Sequence, residues 1–227
     1  MYEAALDLSG NEAAFAVRLR NEKLLIDAVT PMRGRTASLL VPWVIGLLHD
    51  HNLTPSQINY WSVGSGPGSF TGMRLAAAFV TGLTAKKPEI RTRCVPSALA
   101  LTYKDNFMEG AKVVALFDGR NQEIIVYGME WCNHELKHND ETAILNQADA
   151  AEYFNFRPFD SFLALESEKI AIEKITPPCF TEKIVYQTRL NLEALLNANY
   201  IAWDNDLTKL VYIRPAVHSQ GVILKAL

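Results

Sequence analysis

The chain has 227 residues, of which 49% are hydrophobic and 21% charged, and its formal net charge is −3. This length and composition suit one large globular domain or two small lobes. No segment approaches the roughly 20 apolar residues of a membrane helix, and the N-terminal residues lack the pattern of a signal peptide. We therefore expect a cytoplasmic protein that does not associate with membranes. The mild negative charge disfavours a stand-alone RNA-binding module, because neutralising phosphates requires clustered Lys and Arg.

Three cysteines, Cys94, Cys132 and Cys179, are widely separated, and no CxxC pair is present. This arrangement supports neither a zinc ribbon nor a disulfide framework. We expect three reduced thiols and no metal bound by them.

The first hundred residues predict alternating strands and helices. Strands are expected at 3–8, 13–19, 24–29, 60–63 and 91–95, on the basis of apolar runs and alternation between turn residues. The spacing of six large apolar residues predicts a helix from Ser38 or Leu39 to about 51. Thr54–Gln57 has the pattern of a capping box, which predicts a short helical turn. Further helices are expected at about 71–85 and, capped by Ser97, up to Tyr103.

A second unit begins near Ala111. Strands are predicted at 112–118, 123–129, 162–165 and 210–213, and helices at about 147–153 and 181–198. The polar residues from Cys132 to Asp140 predict a loop. The order of elements favours a two-lobed α/β fold in which helices cover a mixed sheet in each lobe. We place the N-terminal lobe at 1–108 and the C-terminal lobe at 109–227.

The most unusual segment is the glycine-rich stretch from Gly64 to Arg74. Backbone N–H groups before a helix bind anions well, so a phosphate loop is one interpretation. The stretch lacks the lysine of a Walker loop, and it does not satisfy the dinucleotide or nucleophile-elbow spacing. The residues alone favour a tight turn that enters a closely packed helix.

Three other polar motifs each have a functional and a structural interpretation. Asp7 and Ser9, after the first strand, suit either a metal or phosphate site or simply a turn. His134-Glu135-Leu136-Lys137-His138 matches the zinc-protease pattern H-E-x-x-H, but its polar flanks predict an exposed loop rather than a helix. Asp118, Arg120 and Glu123 at a predicted hairpin either present charges to a ligand or form a salt-bridged turn.

The segment GSGPGSFTGMR at 64–74 resembles the signature of the TsaB (YeaZ) family. A second segment, with Asp118, Arg120 and Glu123, is similar to the family pattern D-A-R-x-x-E, although Gly119 replaces the alanine. Residues 211–215 resemble a late Y-[LI]-R element. The resemblance is strong over about residues 1–130 and patchy beyond. The signature positions are Gly66, Pro67, Gly68, Ser69, Phe70, Thr71, Gly72 and Arg74.

The resemblance implies a fold like that of actin, sugar kinases and heat-shock ATPases. It further implies a non-catalytic partner of TsaD, which transfers a threonylcarbamoyl group to adenosine 37 of tRNAs that read ANN codons. The ATPase TsaE completes the set, and tRNA is contacted only through the complex. No intrinsic cofactor is implied, and nucleotide, where it binds, lies at the boundary with the partner.

Two departures from the family pattern argue against nucleotide hydrolysis by this chain. Leu8 replaces the usual threonine between Asp7 and Ser9, which leaves those two residues as a vestigial phosphate loop at most. The lead into the first helix, 35–38, lacks the family's histidine. The metal-binding H-x-x-x-H of TsaD is also absent from that helix.

We expect the helices around 39–51 and 71–85 to pack against the matching helices of TsaD, or to form a homodimer when TsaD is absent. Phe79→Asp is expected to abolish pairing without unfolding the chain if that side chain faces outward. The alternative function is an enzyme of the same superfamily, a metallopeptidase-like protein or a small-molecule kinase. The predicted contact residues are Leu40, Trp43, Leu47, Leu75, Ala76, Phe79, Val80 and Leu83.

Overall fold

The computed structural model describes residues 1–32, 34–103 and 107–213. Within them, two mixed five-stranded sheets have the same strand order, β3-β2-β1-β4-β5 and β8-β7-β6-β9-β10. The strands are β1 Tyr2–Asp7, β2 Glu12–Leu19, β3 Leu24–Pro31, β4 Ile58–Gly64, β5 Arg91–Val95, β6 Lys112–Arg120, β7 Glu123–Cys132, β8 Glu135–Leu145, β9 Ser161–Leu165 and β10 Ile184–Gln187. The helices are α1 Leu40–Asp50, α2 Phe70–Thr84, α3 Gln147–Phe156, α4 Lys169–Glu173, α5 Pro178–Thr181 and α6 Leu192–Leu196.

The two sheets also match in strand direction. β1 is antiparallel to β2 and parallel to β4, and β6 is antiparallel to β7 and parallel to β9. At one edge of each sheet, β3 is antiparallel to β2 and β8 is antiparallel to β7. At the other edge, β5 is parallel to β4 and β10 is parallel to β9. The predicted two-lobed α/β fold, with helices and a mixed sheet in each lobe, is confirmed. The residue limits assigned to the two lobes stay a prediction.

Alternation along the central strands distributes their side chains between separate cores. In β1, Ala4 and Leu6 face the core under α1 and α2, whereas Ala5 faces a core shared with the second sheet. In β6, Val114 and Leu116 likewise face the core under α3 and α4. The first sheet therefore has helices α1 and α2 on one face and the shared core on the other.

The chain returns to the first lobe after β10. Leu192 and Leu195 of α6 join the core that contains Ala5 of β1. The buried guanidinium of Arg93 on β5 donates to carbonyl oxygens at the end of α6 and beyond it, at 2.6–3.1 Å, and lies 3.9 Å from the ring centre of Trp203. Burial lowers the pKa of Arg93 to about 10. Residues 190–207 thus complete the core of the first lobe.

Most elements of the first half agree with the sequence predictions. A 3₁₀ turn at Gly34–Leu39 precedes α1, which places Pro42 in the first helical turn, where proline is tolerated. The predicted capping box at Thr54–Gln57 is present. The helix expected from Ser97 is a 3₁₀ helix, Ser97–Leu101.

Three predictions in the second half are wrong. The loop expected at Cys132–Asp140 is the β7–β8 hairpin, because Asn133 and His134 both take positive φ, as a tight two-residue turn requires. The segment expected as one helix at 181–198 contains the last residue of α5, all of β10 and all of α6. Residues 210–213 form no strand; Val211 N–H makes a single bond to Ser65 O at 2.8 Å.

None of the described helices is long and apolar enough to cross a bilayer.

Candidate functional site

The turn after β1 is organised around a buried carboxylate. Asp7 is 0% exposed, and its Oδ1 accepts hydrogen bonds from the amide and hydroxyl of Ser9, at 2.7 and 2.6 Å. Its Oδ2 accepts from the Ser97 hydroxyl at 2.5 Å. Burial raises the pKa of Asp7, and these hydrogen bonds oppose the rise. The acceptor positions of Asp7 are thus occupied by the chain itself, which fixes the turn.

The glycine-rich loop packs directly on that turn. Ser69 N–H donates to Ser9 O at 2.6 Å, and Gly66 N–H donates to the Ser97 hydroxyl at 2.9 Å. Gly68 has φ +151°, and a Cβ there would overlap Ser9 O, so a side chain is excluded. Ser69 then caps α2 by accepting from Gly72 N–H at 3.3 Å. The geometry agrees with a tight turn that enters a closely packed helix.

The corresponding turn in the second lobe is more open. Asp118 is half-buried, and its Oδ1 accepts from Arg120 N–H at 2.8 Å. Arg120, Asn121 and Gln122 have φ values of 60°, 50° and 61°, a strained left-handed run for residues with side chains. In the part of the chain that the structure describes, the side chains of Asp118 and Arg120 do not form an ion pair with each other.

A second buried carboxyl lies behind this turn. Glu168, which follows β9, is 8% exposed, and its Oε2 accepts from Asp118 N–H at 2.8 Å. Burial raises the pKa of Glu168 to about 7, the Asp118 charge adds to the rise, and the Asp118 N–H bond and the Arg120 charge oppose it. Glu168 is therefore partly protonated near neutral pH.

A cavity of about 400 Å³ lies between the lobes. Its walls are the turn 9–11, the loop 67–70, the turn 118–120, Glu168 and the segment 211–213. A larger cavity of about 1050 Å³, lined by 120–123, 146–148 and Lys174 among others, lies on the other side of the second-lobe turn. The fold thus brings parts of both sequence motifs, 67–70 and 118–120, to one cleft.

The helices predicted to contact a partner divide into buried and accessible residues. Leu40, Ala76 and Val80 are at most 1% exposed and belong to the core of the first lobe. The other predicted contact residues are half-buried and pack on the edge of that core: Trp43, Leu47, Leu75, Phe79 and Leu83. The Phe79 ring lies 6.4 Å from that of buried Trp61, so a charge at Phe79 would also disturb folding.

Two large apolar side chains that the sequence interpretation did not single out, Val41 and Ile45, lie on the outer side of α1. Leu39, which the sequence analysis counts in the apolar stripe of the helix, is exposed immediately before it. Leu39, Val41 and Ile45 are 55%, 52% and 36% exposed. We call these three residues the apolar face. Val41 and Ile45 are four residues apart, a spacing that places them on one side of a helix, away from the core stripe. This four-residue spacing could have indicated a second apolar side of the helix from the sequence. It was overlooked because the apolar stripe that faces the core has more residues.

The H-E-x-x-H segment lies on a hairpin. His134 is in the β7–β8 turn, and the His138 ring stacks on Tyr127 with ring centres 4.2 Å apart. The two histidines therefore do not share a helix face, the geometry that zinc-protease chemistry needs. No cluster of three or more His, Cys, Asp or Glu suited to a metal occurs among residues 1–32, 34–103 and 107–213.

Comparison with known proteins identifies the family. The family model described as "TsaD: tRNA N6-adenosine threonylcarbamoyltransferase" matches residues 35–187. The chain is 32% identical over 126 residues to the tRNA threonylcarbamoyladenosine biosynthesis protein TsaB of Haemophilus influenzae, and 26% identical over 120 residues to that of Bacillus subtilis. The chain belongs to this family, among its TsaB (YeaZ) members.

The two alignments with TsaB relatives each cover 53% of the chain. They span only about half the length of those relatives, 50% for H. influenzae TsaB and 51% for B. subtilis TsaB. Solved structures extend the similarity of fold. YeaZ of Pseudomonas aeruginosa superposes over 93% of this chain and 99% of its own, with a TM-score of 0.67 and 20% identity. A protein described as similar to peptidase YeaZ, also of P. aeruginosa, superposes over 94% of this chain and 99% of its own, with a TM-score of 0.69 and 21% identity.

Within the TsaB family pattern, the structure places the signature residues 66–74 in the loop before α2 and in its first turns, with 67–70 on the cleft. Asp118 and Arg120 lie on the opposite side of the cleft, whereas Glu123 lines the larger cavity beside it. Residues Arg214 and Pro215 of the late element lie outside the described residues. The sequence interpretation missed Glu168, which no local motif marks, because its burial depends on contact with the β6–β7 hairpin.

Proposed function

We propose that this protein acts in tRNA threonylcarbamoyladenosine biosynthesis as a subunit that binds a TsaD-type protein through α1 and α2. The names of the TsaB relatives and the match to the TsaD family model support the pathway. In this proposal the chain supplies no catalytic residue. It orders the partner, and tRNA and TsaE engage the assembled complex.

The observation that carries the proposal is the apolar face. Leu39, immediately before α1, and Val41 and Ile45 on α1 expose large apolar side chains in an otherwise well-packed lobe. Contiguous exposed apolar residues commonly mark protein–protein contacts, since burying them is favourable by about 25 cal/mol per Å² before the costs of association. Burial against a partner helix would remove this surface from water.

The adjacent helix supports the same contact. The exposed positions of α2 after its first turn are mostly small, with Ala78, Thr81 and Gly82 along one side. Small residues allow two helix backbones to approach closely. The half-buried side chains Leu75, Phe79 and Leu83 lie beside them and would form the margin of the contact. Because TsaB and TsaD belong to one family, the same face is also suited to pairing two copies of this chain.

The first test is a binding measurement with the purified TsaD-type protein of the same organism. Val41→Asp combined with Ile45→Asp is expected to weaken binding at least 100-fold, because two charges would have to be desolvated in the contact. The matched control is Ile170→Asp combined with Val185→Asp, which changes two exposed apolar residues of the second lobe. The control should bind as the wild type does.

Circular dichroism must show that both double variants are folded. In cells that depend on this chain, the α1 variant should also deplete threonylcarbamoyladenosine from bulk tRNA, measured by nucleoside mass spectrometry. Equal binding by the two double variants would contradict the assigned face. Unchanged tRNA modification after loss of the protein would contradict the pathway.

A further inference from the structure

We propose that Arg74 is a docking point for a carboxylate side chain of the protein partner that covers α1 and α2. This inference rests on the proposed function and extends it to the chemistry of the partner surface. Arg74 lies on the exposed side of α2, in line with Ala78 and Thr81. It is the large charged side chain on a stripe that otherwise consists of small residues.

The guanidinium of Arg74 is held in place by two aromatic rings. It lies 3.7 Å from the ring centre of Phe70 and 5.5 Å from that of Tyr212, and its Nε donates to the Tyr212 hydroxyl at 3.2 Å. The two rings contact each other, with centres 5.0 Å apart. Val211 N–H, bonded to Ser65 O, anchors the segment that carries Tyr212. An arginine fixed in this way loses little conformational entropy when it binds.

The terminal nitrogens of this guanidinium have no acidic partner among the residues that the structure describes. Four of the other arginines that the structure describes have an acidic partner within the chain. Arg18 and Arg189, for example, pair with Glu3 and Asp27. Arg74 is exposed, so its terminal N–H groups are available to a carboxylate, which can accept them as a bidentate pair.

The local electrostatics favour an anionic group on the partner. The first turn of α2 contains no acidic residue, and the guanidinium folds back over Phe70, the first residue of the helix. A cation at a helix N-terminus is disfavoured by the helix dipole, and an incoming carboxylate would be attracted both by the guanidinium and by the dipole. The position beside the proposed contact face favours a protein carboxylate over an RNA phosphate.

The experiment measures the affinity of the full-length chain for the TsaD-type partner at several salt concentrations. Arg74→Gln is expected to weaken binding about tenfold and to reduce its salt dependence, because one charge pair is lost. Arg74→Lys should recover only part of the affinity, since lysine cannot form the bidentate pair. Arg91→Gln, which removes an exposed arginine from the edge of the first sheet, is the matched control and should bind normally.

Alanine substitution of acidic residues on the partner then identifies the carboxylate. One of them should show an effect that is not additive with Arg74→Gln. If Arg74→Gln binds the partner normally but the complex loses affinity for tRNA, Arg74 contacts RNA and the inference is wrong. If wild type binds and only the Val41 and Ile45 double variant fails, the inference alone is overturned. If wild type does not bind the partner at all, the proposed function fails instead.

Discussion

The turn that ends β1 and the turn that ends β6 occupy the same position in two sheets of identical strand order. Each carries an aspartate, but their surroundings differ. Asp7 is fully buried and receives three hydrogen bonds from Ser9 and Ser97. Asp118 is half-exposed, accepts one bond from Arg120, and borders two cavities. One topology thus supports a closed turn in the first lobe and an open turn in the second.

The strand beside each turn explains part of this difference. β4 ends at Gly64, and β9, its counterpart, ends at Leu165. A Cβ at Gly64 would overlap the Asp7 carboxylate. Asp7 can be enclosed only because the neighbouring strand ends without a side chain. In the first lobe, the close packing of the glycine-rich loop therefore accompanies a buried aspartate, whereas the aspartate of the second lobe is accessible.

The largest expected effect comes from adding that missing side chain. Gly64→Ala should lower the free energy of unfolding by about 3 kcal/mol, because the methyl group displaces Asp7 and its hydrogen bonds. Gly10→Ala is the control, since a Cβ there makes an ordinary contact with Leu165 at 3.6 Å. Gly10→Ala should change the free energy of unfolding by only about 0.5 kcal/mol. Urea denaturation measures both, and equal effects would mean that the first-lobe turn is not tightly enclosed.

The second effect is a pH dependence in the second lobe. The pKa of Glu168 is raised in the folded state to about 7 from an ordinary 4.5. The protonated form is therefore favoured by folding, and the stability it contributes is fully present below about pH 4.5 and lost as the pH rises through 7. Glu168→Gln should remove this loss, so that the variant gains up to about 3 kcal/mol relative to wild type between pH 4.5 and pH 8.

The neighbouring exposed Glu166 provides the control for that measurement. Glu166→Gln should leave the pH profile of unfolding as it is in the wild type. A Glu168→Gln profile parallel to wild type would show that Glu168 is ionised in the folded protein across this range.

The smallest of the three effects compares the aspartates themselves. Asp7→Ala leaves the Ser9 amide and the Ser97 hydroxyl without their buried acceptor and should cost about 2 kcal/mol more than Asp118→Ala. Both variants are measured by urea denaturation under the same conditions. A larger loss for Asp118→Ala would reverse the assignment of closed and open turns.

The sequence predicts the first lobe well because its signals are local. Alternation in β2 and the apolar stripe of α1 each indicate one type of element, and Thr54 to Gln57 carries its own capping pattern. The glycine-rich loop is recognisable in the same way. The packing of this loop against Ser9 cannot be recognised from the sequence, because the contact joins Ser9 to Ser69, about 60 positions away.

The second lobe is less predictable because its signals conflict. β8 is an edge strand with many polar residues, so its composition resembles that of a loop, and only positive φ at Asn133 and His134 reveals the hairpin. β10 is a four-residue strand within a sequence of good helix formers. The cleft as a whole could not be predicted, since Glu168 and Tyr212 reach it only through tertiary contacts.

The return of α6 to the first lobe has a consequence for biosynthesis. Arg93 is synthesised long before Leu195, Leu196 and Ala198, whose carbonyl oxygens it needs. While the chain emerges from the ribosome, the first sheet therefore exposes the Arg93 guanidinium and an apolar surface to water until the second sheet has also been made. The core of the first lobe can therefore be completed only after all the strands of the second sheet have been translated.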